Sequence, residues 1–151
     1  MAGKRDAKGP QSRIEDEMAA DCMAMRIRLV GRTVTGIYDD ALRPLGLTVG
    51  QLNVLAVVAK RSPVAPHEIA HILKMDKSTV SRTVERMRQH GWLSVDPAEA
   101  GHAVRVALRP KGRRLLDRAA PAWRVAQATL SERLGASGAQ AVQRAADAVR
   151  T

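Results

Sequence analysis

Between Lys77 and Gln89, the residues Lys77, Ser78, Thr79, Ser81, Arg82, Glu85, Arg86 and Gln89 fall on one side of a 3.6-residue repeat, and Val80, Val84 and Met87 fall on the other. Cations, hydroxyls and an amide on one helical face are the groups that base edges and phosphates require. Arg82 can pair bidentately with a guanine edge, Ser78 and Thr79 can donate or accept, and Thr79 adds a methyl that can meet thymine. Lys77, at the positive end of the helix, suits a phosphate oxygen. The plainer alternative is a solvated helix in a module that binds protein, or one that binds DNA without reading its sequence.

Two other constellations carry chemistry on paper. His67-Glu68-Ile69-Ala70-His71 matches the H-E-x-x-H pattern, in which two imidazoles at i and i+4 ligate zinc and the glutamate acts as base. That would make the chain a zinc peptidase. Its setting argues otherwise. Pro66 opens a helix of only two turns, Ile69 and Leu73 are needed for packing, and neither His90 nor His102 has a clear claim as third ligand. Cys22 is the only cysteine, which excludes an intrachain disulfide and a cysteine-rich metal site. Its spacing with Met18, Met25 and Leu29 reads as packing, because a reactive thiolate needs exposure and nearby positive charge. The sequence therefore predicts no enzyme, no metal and no cofactor.

Charge distribution separates the remaining classes. The 151 residues carry a formal charge of +10, and Lys60 to Arg114 holds 12 Lys and Arg against 5 Asp and Glu, a net of +7. Such clustering is the footprint of a polyanionic partner. No apolar run approaches the ~20 residues of a membrane span, and residues 1–12 lack the apolar stretch of a secretory signal. A cytoplasmic protein is expected.

The elements that position these residues follow from punctuation. Residues 1–11 read as a flexible basic tail. A helix is expected from Arg13 to Leu42, with one stripe at Met18, Cys22, Met25 and Leu29 and a second at Val30, Val34, Ile37 and Ala41. Two stripes imply two buried contacts, one available to a partner chain. Pro44 and Gly46 stop it. Thr48 and Gln51 form a capping box for a helix from Val49 to about Lys60, with Leu47 and Leu52 as its staple. Pro66 starts a third helix ending near Leu73, Lys74 and Met75 turn, and Asp76 caps a fourth from Lys77 to His90, closed by Gly91. Two short helices joined by such a turn form a helix-turn-helix, whose second helix enters the major groove. Strands are expected at Trp92 to Asp96 and Val104 to Leu108, the latter burying Val104, Val106 and Leu108. Pro110 restarts a helix bearing Leu116, Ala119, Trp123, Ala126, Leu130 and Leu134 on one face, kinked by Pro121 and ended by Gly135. Ser137 and Gln140 cap a last helix carrying Val142, Ala146 and Val149. The fold class is mainly α with a small β wing. Its parts are a helical region at 12–46, a winged helix-turn-helix lobe at 47–112 and C-terminal helices at 113–151.

The stretches Leu45-Gly-Leu-Thr-Val-Gly-Gln-Leu52, Met75-Asp-Lys-Ser-Thr-Val-Ser-Arg-Thr-Val-Glu-Arg86, Gly91-Trp-Leu93 and Val104-Arg-Val-Ala-Leu-Arg-Pro-Lys-Gly112 together resemble the MarR family of winged helix-turn-helix regulators. The resemblance spans about Cys22 to Leu134. It implies a homodimer held by the N- and C-terminal helices, and a pseudo-palindromic double-stranded operator read by one recognition helix per half-site. It also implies repression relieved by a small, often aromatic or phenolic, effector. Arg28, Tyr38 and Trp123 are the candidate effector contacts by position and chemistry. Cys22 stands near the place of a peroxide-sensing thiol in some such proteins, slightly offset. Where the family's wing tip usually reads Asp-x-Arg, this chain has Ala100-Gly101-His102, so His102 and Arg105 are the candidate wing contacts. A histidine is fully charged only below about pH 6.5, which predicts a weaker or pH-dependent hold on the minor groove.

Overall fold

In a computed structural model of the chain, residues 13–98, 101 and 103–150 are described, so the expected tail at 1–11 and the wing-tip His102 lie outside the described residues. The chain divides into two units, one up to Val34 and one from Thr35 onward.

In the first unit the expected continuous helix is interrupted. Helix α1 spans Ile14–Asp21 and helix α2 spans Met23–Leu42, with Cys22 between them in an extended conformation at φ −65 and ψ 105. Arg26 donates through its guanidinium to the Ala20 carbonyl, one of the acceptors that the end of α1 leaves open. Among the described residues up to Val34 none is buried, and Ile14, Met18, Met23, Met25, Ile27 and Leu29 are all exposed. Among the described residues of this unit no core holds the two helices in line.

The second unit has such a core. Leu42 is buried at the end of α2, and Pro44 lies in a short 3-10 turn, Arg43–Leu45, that Gly46 closes. Helix α3, Val49–Arg61, then begins on the expected capping box. Thr48 Oγ1 accepts from the Gln51 N–H at 3.3 Å, and Gln51 Oε1 accepts from the Thr48 N–H at 3.0 Å. Asp39 adds a further acceptor for the Val49 N–H at 2.7 Å, tying α2 to the start of α3.

Helix α4 spans Pro66–Leu73 and helix α5 spans Lys77–Gln89. Strands β1, Leu93–Pro97, and β2, Val104–Leu108, form an antiparallel wing in the register Leu93 to Leu108 and Pro97 to Val104. Val64 extends the sheet by exchanging hydrogen bonds with Val106 at 2.9 and 2.8 Å. That exchange fixes the wing beside the start of α4. The core joins Val54, Leu55 and Val58 of α3, Ile69 of α4, Val80, Val84 and Met87 of α5, Leu93 and Val106. Val104, expected to be buried, is 40% exposed, because it pairs with Pro97 at the outer end of the wing, beyond the core.

Helix α6 runs Pro110–Ala148, with helical φ/ψ kept through Pro121 and broken at Gly135 (φ 65, ψ 172). The break falls where the sequence placed it. Of the expected face Ala119 and Ala126 are buried, Leu116, Leu130 and Leu134 are half-buried and Trp123 is exposed, while Gly112 and Leu115 complete the buried side. Gly112 sets this phase. A Cβ there would sit 2.2 Å from the Trp92 carbonyl oxygen, so only glycine lets α6 approach the start of the wing.

Candidate nucleic-acid interface

The α4–turn–α5 unit is built by local hydrogen bonding and then locked by packing. Pro66 takes the first position of α4, and the Ala65 N–H donates to Glu68 Oε2 at 2.8 Å, half of a capping box. Lys74 ends α4 in the left-handed conformation at φ 51, with the Met75 N–H returned to the Ala70 carbonyl at 2.9 Å. Asp76 is the N-cap of α5 in extended conformation, but its side chain makes no capping hydrogen bond. The carboxylate cap expected from the sequence is therefore not formed. Gly91, at φ 76, ends the unit.

Val80, Val84 and Met87 of α5 are buried as their spacing requires. Lys77, Ser78, Ser81, Arg82, Glu85, Arg86 and Gln89 are exposed on the other side, with Thr79 half-buried. The acid on this face is engaged. Glu85 accepts from Arg88 Nε and Nη2, both at 2.8 Å, and from Gln89 Nε2 at 3.0 Å. The Arg88 bond, then that from Gln89, holds its carboxyl down at about 2. Lys77, Arg82 and Arg86 make no ion pair among the described residues.

Lys77, Ser81 and Arg105 meet in one place. They line a cleft of about 370 Å³ between α4, the start of α5 and β2, together with His67, which sequence reasoning did not assign to this surface. The signal for His67 lay in the tight packing of α4 against the wing, which periodicity does not carry. Arg105 is engaged, its Nη1 3.1 Å from Glu68 Oε2, with the two side chains 46% and 41% exposed. Glu68 thus clamps the wing to α4. Its carboxyl lies below the ordinary 4.5, first because of the Ala65 N–H and then, against the opposing cost of desolvation, because of Arg105.

That engagement gives Glu68 of the H-E-x-x-H letters a structural role. His67 and His71 are exposed, Glu68 is committed to Ala65 and Arg105, and no metal-holding group of three acidic, His or Cys residues occurs among the described residues. The effector candidates are dispersed in environment. Tyr38 is buried and donates its hydroxyl to Gln127, and burial pushes the phenol upward. Trp123 is 42% exposed on α6. Arg28 is exposed on α2.

Residues 45–102 match the model of the MarR family. The structure of the M. tuberculosis transcriptional regulator MosR in complex with DNA is 31% identical, with a TM-score of 0.71, covering 87% of this chain and all of that one. This chain belongs to the MarR family. The E. coli MarR mutant complexed with operator DNA shares the fold at a TM-score of 0.79 and 19% identity, over 91% of this chain and 99% of that one. An uncharacterized HTH-type transcriptional regulator of Bacillus subtilis, YwoH, is 29% identical over 68 residues. That match takes in 45% of this chain and spans half the length of the curated relative. MarR-family proteins are transcription regulators, not enzymes, so the zinc-peptidase reading of His67, Glu68 and His71 falls.

Proposed function

We propose that the chain is a homodimeric, sequence-specific DNA-binding regulator, acting as a repressor that a small aromatic or phenolic ligand releases. The observation that carries it is the exposed face of α5, where Lys77, Arg82 and Arg86 are unpaired among the described residues while Glu85 is held by Arg88 and Gln89. In this reading α5 lies in the major groove. Arg82 reads a guanine edge, Ser78, Thr79 and Ser81 supply further polar contacts, and Lys77 and Arg86 hold phosphates. Arg105 and His102 are assigned to the wing's approach to the minor groove, and the Glu68 clamp sets where Arg105 stands. The DNA found with MosR and with the E. coli MarR mutant supports the partner class.

The homodimer is supported by helices up to Val34 that bury no described residue and expose Met18, Met25, Ile27 and Leu29. Residues 12–46 and 113–151 are assigned to the dimer, and 47–112 to DNA. Arg28, Tyr38 and Trp123 are assigned to effector recognition, the first for an acidic group and the aromatic pair for a planar body. Selecting bound duplexes from random DNA tests the proposal. A defined palindromic motif whose affinity falls steeply with salt is expected; equal affinity for every duplex would leave a sequence-neutral module instead.

A further inference from the structure

At the far end of α5 from Lys77 lies a second cationic place that the proposed reading face does not use. His90 at the end of α5, Trp92 before β1, Leu45, and Lys111, Arg114 and Arg118 of α6 line a cleft of about 480 Å³. We infer that this cleft binds a small, multiply charged, phosphate-bearing anion.

The three cations stand three and four residues apart, so they share one side of α6. All are exposed and none forms an ion pair among the described residues. Like charges at this spacing repel, and Lys111 also lies in the first turn of α6, which holds no acidic residue and where the helix dipole disfavours a cation. An anion held between them would offset that repulsion. Two guanidinium forks and an ammonium suit several oxygens on one compact ligand better than a single carboxylate.

The walls are fixed by packing. Gly112 brings α6 onto the Trp92 carbonyl, whose oxygen also accepts from the Arg109 N–H at 3.0 Å. The Lys111 stem passes beside Gly91, its Cδ 3.7 Å from where a Cβ would stand. The His90 and Trp92 rings stack with centroids 4.5 Å apart and planes 15° apart, forming a rigid flat side. The volume falls within the range of small-ligand sites.

The test is calorimetric titration of the full chain with sodium pyrophosphate at fixed ionic strength, without DNA, so its outcome is separate from that of the operator proposal. Saturable binding of one pyrophosphate per chain is expected, weakened at least about tenfold by Arg114→Ala with Arg118→Ala. Arg133→Ala with Arg144→Ala removes the same charge elsewhere on α6 and is expected to leave the affinity little changed. Arg114→Gln with Arg118→Gln, which retains more of the side-chain bulk, repeats the measurement should the alanine variant melt early. Absence of saturable binding, equal losses in both charge-removal pairs, or a cleft variant that keeps pyrophosphate while losing duplex DNA would overturn the inference.

Discussion

The helices up to Val34 and the lobe built on α3, α4, α5 and the wing both carry apolar stripes in sequence, yet the first buries no described residue and the second buries a full set. Amphipathic spacing reports that a face will be covered. It does not report by what. In the lobe the cover is the same chain: Ile69 meets a core shared with Val80, Met87 and Leu93. In the first unit no described residue covers the exposed stripe, and the proposed dimer would supply the cover.

Substituting one apolar residue in each region tests this contrast most strongly. Ile69→Ala is expected to cost about 2 to 5 kcal/mol in denaturant unfolding, because the site is fully buried. Leu29→Ala should instead weaken association, seen as dissociation at higher protein concentration in sedimentation, with a stability loss that shrinks as concentration rises. A concentration-independent loss at Leu29 would place its cover within the chain. Next in size, Gly112→Ala should destabilise by about 1 to 3 kcal/mol in thermal melts, since the Trp92 backbone must yield to the added carbon. An unchanged melt would mean that α6 is free to move away from the wing.

The lobe was legible because its punctuation is local. Pro66, Gly91 and the Thr48–Gln51 pair fix boundaries through one or two turns of chain, and Val80, Val84 and Met87 give the buried side by phase alone. What the sequence did not carry came from contacts between distant segments. The Glu68–Arg105 clamp joins residues on α4 and β2, and the phase of α6 depends on one close approach to Trp92. The break at Cys22 interrupts an unbroken pattern of helical spacing in a region whose described residues form no core to hold it straight.

The smallest expected effect concerns acid. Because Arg88 and Gln89 lower the Glu85 carboxyl to about 2, below the ordinary 4.5, its contribution is complete above pH 4.5 and disappears as pH falls toward about 2. Glu68 is shifted the same way, so it adds to stability on the same side. Glu85→Gln should therefore lower stability slightly above pH 4.5 and leave it nearly unchanged near pH 2, which flattens part of the acid limb of a stability profile. An identical limb would show that the Arg88 pairing does not persist in solution.

The most direct test of base reading by α5 is a titration of wild-type and Arg82→Ala protein against the selected operator and its single-base variants at fixed salt. A loss of roughly 1 to 3 kcal/mol, together with lost discrimination at one base pair and retained discrimination elsewhere, is the predicted result. Uniform weakening across all duplexes would contradict it, leaving Arg82 as a phosphate contact and α5 without the base contact on which the proposed specificity rests.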